Sequence, residues 1–327
     1  MNRQRQDDHD IILAVRDLVV EHDGGDGRTV HAVSGISFDI RRGETLGLVG
    51  ESGCGKTSAA RAVMQLPRPT RGSVHLEGMN LAALPRKDLR PLRAKFQMIF
   101  QDPIASLNPR RRVRDIVGGP LAVQGELGTE EKNRRIAEVL SDVGLNAEQT
   151  MERLPHEFSG GQCQRISLAR AIILEPKLLI CDEPVSALDV SVQAQILNLL
   201  EEMKARHALT MLFISHDLAV VKHISDRVAV MYLGKLCELA PAEELYRHPG
   251  HPYTAALLAA VPAPDPERPL GRIDMVAGEL PSPTDPPSGC RFRTRCPHAQ
   301  PLCAEQEPKA GEVSPGHTIA CHFPLSG

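Results

Sequence analysis

Gly50-Glu51-Ser52-Gly53-Cys54-Gly55-Lys56-Thr57 follows the apolar run 45–49 and precedes a helical pattern that starts at Ser58. The order Gly-x-x-x-x-Gly-Lys-Thr between a buried strand and a helix is typical of phosphate-binding loops. Glycines let backbone N–H groups turn toward phosphate oxygens, and the helix N-terminus adds positive potential at the same point. We therefore expect this segment, through Ser58, to bind a nucleoside triphosphate. Lys56 would reach its β and γ phosphates, and the Thr57 hydroxyl would coordinate Mg²⁺.

The flanking sequence predicts an α/β fold around this loop. Residues 178–181 and 211–214 are continuous apolar runs, like 45–49, as expected for strands buried on both faces. Helical patterns separate the runs, which favours a partly parallel sheet covered by helices. Residues 13–48 alternate apolar and polar positions and predict an antiparallel β-subdomain, while residues 90–175 predict a mostly helical insert.

Composition excludes several classes of function. The 327 residues include 38 Lys and Arg against 41 Asp and Glu, so the net charge of −3 provides no electrostatic attraction for nucleic acid. Aromatic residues make up only 3%, without Trp, so a stacking platform for single strands is not expected. No apolar stretch approaches the ~18 residues of a membrane span, and the acidic start does not resemble a secretory signal. We expect a cytoplasmic location.

Two carboxylates follow the apolar run 178–181, namely Asp182 and Glu183. Parallel strands bring their carboxyl ends to one edge of a sheet, so we expect both side chains at the edge that carries the phosphate loop. Asp182 supplies the oxygen that Mg²⁺ prefers. Glu183 points differently and is suited to polarise an attacking water as general base.

A second anion-binding segment is predicted at Ser159-Gly160-Gly161-Gln162, which follows Phe158 and opens a long helical pattern. A Ser N-cap followed by two glycines exposes several backbone N–H groups. Taken alone, the segment is equally compatible with an ordinary capped helix. Its position 23 residues before Asp182 links it to the motifs above.

These motifs resemble those of the ATP-binding subunits of ABC transporters, in order and in context. Three further stretches complete the resemblance: Phe100-Gln101-Asp102-Pro103, Ser186-Ala187-Leu188-Asp189 and Ile214-Ser215-His216-Asp217. The resemblance implies an ABC-type nucleotide-binding domain with ATPase activity. It also implies a head-to-tail dimer in which each ATP lies between the phosphate loop of one chain and residues 158–162, the signature segment, of the other.

The resemblance assigns roles to single residues. Gln101 corresponds to the glutamine that contacts Mg²⁺ and the attacking water, His216 to the histidine at the γ-phosphate, and Asp189 to the aspartate of the dimer interface. His22 stands where the family has an aromatic side chain that stacks on adenine, and it offers less surface. The expected catalytic residues are Glu183, His216 and Gln101. The expected Mg²⁺ ligands are Thr57, Gln101 and Asp182. The expected nucleotide contacts are residues 50–58, Ser159, Gly160, Gly161, Gln162, Gln101, Asp182, Asp189 and His22.

Longer strings narrow the resemblance to ABC importers of di- and oligopeptides and of related solutes such as nickel complexes. These are residues 100–109, 181–190 and 251–258. In such importers two ATP-binding subunits pair beneath two membrane permease subunits, with an extracytoplasmic substrate-binding protein. We therefore expect a second ABC ATP-binding subunit, most simply a paralogue, and a position on the cytoplasmic face of the membrane.

Three segments are expected along the chain. Residues 1–240 form the ABC ATP-binding domain, residues 241–289 a helix and a proline-rich linker, and residues 290–327 a small cysteine-rich module. Eight of the 26 prolines fall within residues 262–287, a density that opposes regular structure.

The C-terminal segment holds Cys290, Cys296, Cys303 and Cys321, separated by five, six and seventeen residues. Four thiols in a segment that lacks core-forming residues suggest a metal staple, but the spacing does not choose the metal. The resemblance implies a 4Fe–4S cluster, with zinc and unmetallated thiols as the alternatives. The alternative function is a soluble ABC ATPase with an iron–sulfur or redox-sensing regulatory tail.

Overall fold

The computed structural model describes residues 10–25, 27–123, 125, 127–261 and 279–325. The strands are β1 Ile11–Asp23, β2 Thr29–Arg41, β3 Thr45–Val49, β4 Arg71–Leu76, β5 Met79–Asn80, β6 Phe96–Ile99, β7 Leu178–Asp182, β8 Thr210–Ile214, β9 Arg227–Tyr232, β10 Lys235–Pro241, β11 Gly311–Ser314 and β12 His317–Ile319. The helices are α1 Lys56–Val63, α2 Arg86–Leu92, α3 Pro103–Ser106, α4 Val113–Val117, α5 Thr129–Asp142, α6 Ala147–Thr150, α7 Gly160–Ile172, α8 Val190–His207, α9 Leu218–Ile224, α10 Ala242–Arg247, α11 Pro252–Ala259 and α12 Pro301–Glu305. In these ranges none of the helices has the length and apolar character that a bilayer crossing needs.

The chain divides into two compact units. The first unit comprises residues 1–13, 39–44 and 75–213, as far as they are described. Its strands lie in the order β6-β7-β8, with β6 parallel to β7 in a register that pairs Met98 with Ile180. All five residues of β7 are buried, as the continuous apolar run predicts. Helix α7 packs against β6 and against α3 and α4, so the signature segment begins a helix that is anchored in this unit.

The second unit comprises residues 14–38, 45–74 and 214–327, again as far as they are described. Its strands lie in the order β3-β9-β10-β12-β11, and most of β1, β2 and β4 forms a further sheet in the order β2-β1-β4. Strand β3 runs parallel to β9, with Leu48 opposite Ala229. The sequence predicts a hairpin around Leu233 and Gly234, and the antiparallel pairing of β9 with β10 confirms it. The phosphate loop leaves the end of β3 and enters α1.

A separate cysteine-rich module over residues 290–327 is not supported. Strand β12 pairs antiparallel with β10, with Glu238 opposite Ile319, and the N–H of Ala320 donates to the carbonyl of Cys237 at 2.8 Å. Phe292 is 1% exposed and Ile319 5% exposed, so the tail contributes its apolar side chains to the second unit. The few apolar residues of the tail bury against distant strands instead of against one another.

The proline-rich linker falls largely on residues 262–278, which lie outside the described part of the chain. The described remainder of that linker, residues 279–289, contains no helix or strand. The three segment boundaries drawn from the sequence stay a prediction.

Candidate functional site

Two glycines give the phosphate loop its path. Gly55 has φ of 107°, and a Cβ at this position would lie 2.1 Å from the carbonyl oxygen of Ala32. A Cβ on Gly50 would lie 2.1 Å from the carbonyl oxygen of Met231. The loop therefore runs directly against the backbone of β2 and β9, at a distance that a side chain would prevent.

Lys56 is folded onto its own loop. The side chain is buried, and Nζ donates to the carbonyl oxygens of Gly50 at 2.7 Å and Glu51 at 2.9 Å. Phosphate oxygens offer the ammonium group stronger, charged acceptors than these carbonyls. The neighbouring Cys54 is buried, and burial raises the pKa of its thiol. Thr57 and Ser58 follow in the first turn of α1, both half-buried.

Two residues far along the chain hold Glu51, and the sequence reasoning assigned neither. The backbone N–H of Glu51 donates to the Tyr253 hydroxyl at 2.9 Å. Arg295 Nη1 donates to both carboxylate oxygens of Glu51, at 3.1 and 2.9 Å. An available signal was the charge itself, since a nearby cation offsets the repulsion between a carboxylate and a bound phosphate.

The first unit brings two predicted catalytic residues together. Gln101 Nε2 donates to Glu183 Oε2 at 3.0 Å. Glu183 has φ of 47°, a left-handed conformation that turns the backbone directly after β7. Such a conformation is costly for a residue with a side chain and is commonly found at functional positions. The preceding Asp182 is 1% exposed.

The signature segment starts α7 as predicted. Ser159 Oγ accepts from the N–H of Gln162 at 3.3 Å, and Gln162 Oε1 accepts from the N–H of Ser159 at 3.0 Å, which forms a capping box. A Cβ on Gly161 would lie 2.6 Å from Cγ1 of Val192 in α8. Asp189 occupies the N-cap position of α8 without a side-chain capping bond and is exposed.

Two histidines of the predicted site lie in the second unit. His216 is exposed and follows the end of β8, in a turn where Ser215 Oγ accepts from the N–H of Asp217 at 3.0 Å. His22 lies half-buried near the end of β1. The predicted residues are thus divided by unit. Gln101, 159–162, Asp182, Glu183 and Asp189 belong to the first unit, and 50–58, His22 and His216 to the second.

The sequence predicts a metal cluster on the tail cysteines. Burial raises the pKa values of Cys290, Cys296 and Cys321, and neighbouring thiols raise them further. Across the described ranges, however, no group of three or more His, Cys, Asp or Glu side chains is arranged to hold a metal ion. The expectation of a 4Fe–4S cluster on Cys290, Cys296, Cys303 and Cys321 is therefore not supported.

Two protein-family models and several known proteins match this chain. Residues 33–186 match the family model for the ABC transporter, and residues 237–303 match that for the oligopeptide/dipeptide transporter C-terminal region. The putative oligopeptide transport ATP-binding protein YkfD of Bacillus subtilis is 52% identical over 314 residues, which cover 95% of each chain. The chain belongs to the ABC transporter ATP-binding proteins. The oligopeptide transport ATP-binding protein OppF of Salmonella typhimurium is 50% identical over 321 residues, covering 95% of this chain and 96% of that one.

A solved structure agrees with the fold and the activity of this ABC ATPase. The dimeric, post-hydrolysis ATP-binding cassette MJ0796, bound to ADP and Pi, has a TM-score of 0.65 at 25% identity and covers 70% of this chain and 98% of its own. The nucleotide-binding fold expected from the motifs is confirmed, and the chain is an ABC-type ATPase. The alternative of a soluble ABC ATPase with a redox-sensing tail is unsupported, because the relatives matched over 95% of this chain are transport proteins.

Proposed function

We propose that this ABC ATPase powers the import of di- or oligopeptides, or of related solutes, through a membrane transporter. The observation that carries the proposal is the match of residues 237–303 to the oligopeptide/dipeptide transporter C-terminal region. The sequence identity of 52% and 50% to two oligopeptide transport ATP-binding proteins supports it further. The chain would act at the cytoplasmic face of the membrane. Its partners would be a second, paralogous ATP-binding subunit, two permease subunits and an extracytoplasmic substrate-binding protein.

The residue pair Gln101 and Glu183 supports a role in activating water. Glu183 accepts a hydrogen bond from Gln101, which orients its carboxylate. In this proposal Glu183 removes the proton from the attacking water, and Gln101 orients both the carboxylate and the water. His216, exposed after β8, would donate to the γ-phosphate.

Phosphate binding falls to the loop at residues 50–58. Lys56 would exchange its two carbonyl acceptors for phosphate oxygens, and the backbone N–H groups of the loop would neutralise the remaining charge. Thr57, Gln101 and Asp182 supply oxygen donors of the kind that Mg²⁺ binds, and the ion would neutralise charge on the phosphates. His22 would lie against adenine with less surface than an aromatic ring provides.

Exposed residues of the first unit support a second subunit in the site. Ser159 and Gln162 are exposed at the start of α7, and Asp189 is exposed before α8. In a head-to-tail dimer, residues 159–162 would donate to the nucleotide on the partner and Asp189 would contact the facing subunit. Hydrolysis would then wait for closure, since donors on both sides meet the charge on the γ-phosphate.

Isolation of the intact complex tests the proposal. Tagged full-length chain purified from its native membranes should bring down two permeases and a second ATP-binding subunit. In lipid vesicles, peptide with its binding protein should stimulate ATP hydrolysis, while Lys56→Ala assembles the same complex without hydrolysis. Stimulation by an unrelated solute class and not by peptides would remove peptide import as the function.

Iron–sulfur chemistry in the tail is a separate proposal, supported by donor type alone. Four thiolates are the ligand set of 4Fe–4S clusters. No step of ATP hydrolysis depends on it. Anaerobically purified protein should contain roughly four iron and four sulfide ions per chain. Zinc alone, or no metal, would refute the cluster.

A further inference from the structure

Glu51 is an unusual side chain for its position. It lies second in a loop whose backbone and lysine are built to attract phosphate, and its side chain is 28% exposed. An uncompensated carboxylate there repels a triphosphate over several ångströms of partly solvated protein. A nearby cation other than Lys56 would offset this repulsion, since Lys56 Nζ donates to the carbonyl of Glu51.

Arg295 supplies that cation from the C-terminal tail. Its side chain is 8% exposed, and Nη1 contacts both carboxylate oxygens of Glu51. The same Nη1 also donates to the Tyr232 hydroxyl at 3.4 Å. Arg295 Nε is buried and makes no hydrogen bond to any described residue. Nη1 thus joins the guanidinium to the loop, while Cζ lies 5.7 Å from the centroid of the Tyr232 ring.

A buried aromatic cluster fixes the direction from which Arg295 and Tyr253 approach. It consists of Tyr232, Tyr253 and Phe292, each at most 1% exposed. The Tyr232 ring lies edge-on to Tyr253 at 4.7 Å and to Phe292 at 5.2 Å, measured between ring centroids. Such edge-to-face packing holds aromatic side chains in defined orientations. The Tyr253 hydroxyl is thereby directed at the N–H of Glu51, while Arg295 holds the carboxylate of the same residue.

Arg291, four residues before Arg295, holds the support of the loop. Nη1 donates to the carbonyl of Leu233, and Nη2 donates to Ser34 Oγ at 2.8 Å. The adjacent N–H of Gly234 donates to the carbonyl of Cys54 at 2.8 Å. Arg295 of the tail therefore contacts the loop itself, and Arg291 contacts the turn on which the loop rests.

We propose that Arg295 is a positioning residue for nucleotide binding, which neutralises Glu51 and, with Tyr253, fixes the start of the phosphate loop. Tight MgATP binding then requires the tail to be folded onto the loop, although the tail contains none of the ATP-binding motifs. The proposal rests on the ATPase activity of this chain and is independent of which solute is transported.

Arg295→Gln is the decisive variant, because it removes the charge and retains much of the side-chain length. Equilibrium binding of a fluorescent ATP analogue with Mg²⁺ to the full-length chain should weaken about tenfold, the size expected for one uncompensated charge acting through partly solvated protein. In the assembled transporter KM should rise by a similar factor while kcat changes less than about threefold, because the loss is in binding. Wild-type affinity in Arg295→Gln would overturn the proposal.

Arg293→Gln is the matched control. Arg293 lies in the same segment, but within the described residues its side chain donates to the carbonyl and the hydroxyl of Ser288, at 2.9 and 3.3 Å, instead of to the loop. It should bind MgATP as the wild type does. Loss of affinity in Arg293→Gln equal to that in Arg295→Gln would mean that any change in the segment disturbs the site, which would overturn a specific role for Arg295.

Two further variants separate charge from folding. Arg295→Lys keeps the cation, and one ammonium can replace the single Nη1 contact, so its affinity should stay within about threefold of the wild type. The double variant Glu51→Gln with Arg295→Gln removes both charges and should recover most of the lost affinity. If both variants bind as weakly as Arg295→Gln, charge compensation is wrong, and thermal unfolding of each protein shows whether Arg295→Gln merely failed to fold. Absence of MgATP binding by the wild type would instead contradict the nucleotide site itself.

Discussion

The signature segment and the phosphate loop are both glycine-containing turns that lead into a helix, but different contacts hold them. Ser159 and Gln162 cap the signature helix through bonds that span three residues. The loop residue Glu51 is held by Tyr253 and Arg295, which lie 202 and 244 residues away along the chain. One element carries its support within its own motif, and the other takes support from a distant segment. Recognition of a motif therefore does not identify everything on which the motif depends.

Glu183→Gln tests a residue that was predicted from its local motif, and it should have the largest effect. The amide cannot accept the proton of the attacking water, so turnover should fall by about a hundredfold or more while MgATP binding is retained. Steady-state ATPase rates and nucleotide binding measure the two quantities. Glu175→Gln, a change at a glutamate in the same unit that is 76% exposed, is the control and should leave both unchanged. Near-normal turnover in Glu183→Gln would remove Glu183 as the base.

The distant support of the loop should be sensitive to acid through His251. This residue is 2% exposed, burial lowers its pKa to about 4, and its Nδ1 accepts from the N–H of Tyr253 at 3.0 Å. Protonation is therefore more favourable in the unfolded chain, whose histidine has a pKa of about 6.5. The corresponding stability is complete above pH ~6.5 and is lost as the pH falls toward 4, by about 3 kcal/mol in total.

The measurement is the free energy of unfolding against pH in denaturant, compared between the wild type and His251→Asn. Asparagine still offers an oxygen to the N–H of Tyr253 but does not titrate, so the loss between pH 6.5 and pH 4 should become smaller in this variant. His248→Asn, at a histidine whose side chain is 56% exposed, should retain the wild-type slope. An unchanged slope in His251→Asn would mean that acid acts on the second unit through other groups.

Ser159→Ala should have the smallest effect, and it tests whether the signature helix is stabilised by contacts within its own motif. The change removes the acceptor for the N–H of Gln162, so the free energy of unfolding should fall by about 1 kcal/mol. Urea unfolding measures this directly. Ser159→Asn keeps an N-cap acceptor and should unfold like the wild type. Equal destabilisation by both substitutions would show that the hydroxyl contributes by some route other than the cap.

Much of the site could be predicted because its signals are local. Gln101 and Glu183 carry motif context, and the structure brings their side chains within hydrogen-bonding distance. The hairpin at Leu233 and Gly234 was readable from alternating residues on either side of a turn. Arg295 could not be predicted in this way, because no local motif includes it and the cysteines near it in the sequence suggest a metal site instead. Its position at Glu51 depends on the burial of Phe292 against Tyr232, which is a tertiary contact.

The amino-acid sequence alone determined the phosphate loop, the signature helix and the carboxylates after β7. Each needs a short run of residues with particular backbone freedom or donors, and each can be read from that run. Only the tertiary structure decided that β12 pairs with β10 and that Tyr253, Arg291 and Arg295 close on the loop and its supporting turn. Those contacts join residues that lie far apart in the sequence. They form because apolar side chains from distant segments are buried together in the second unit.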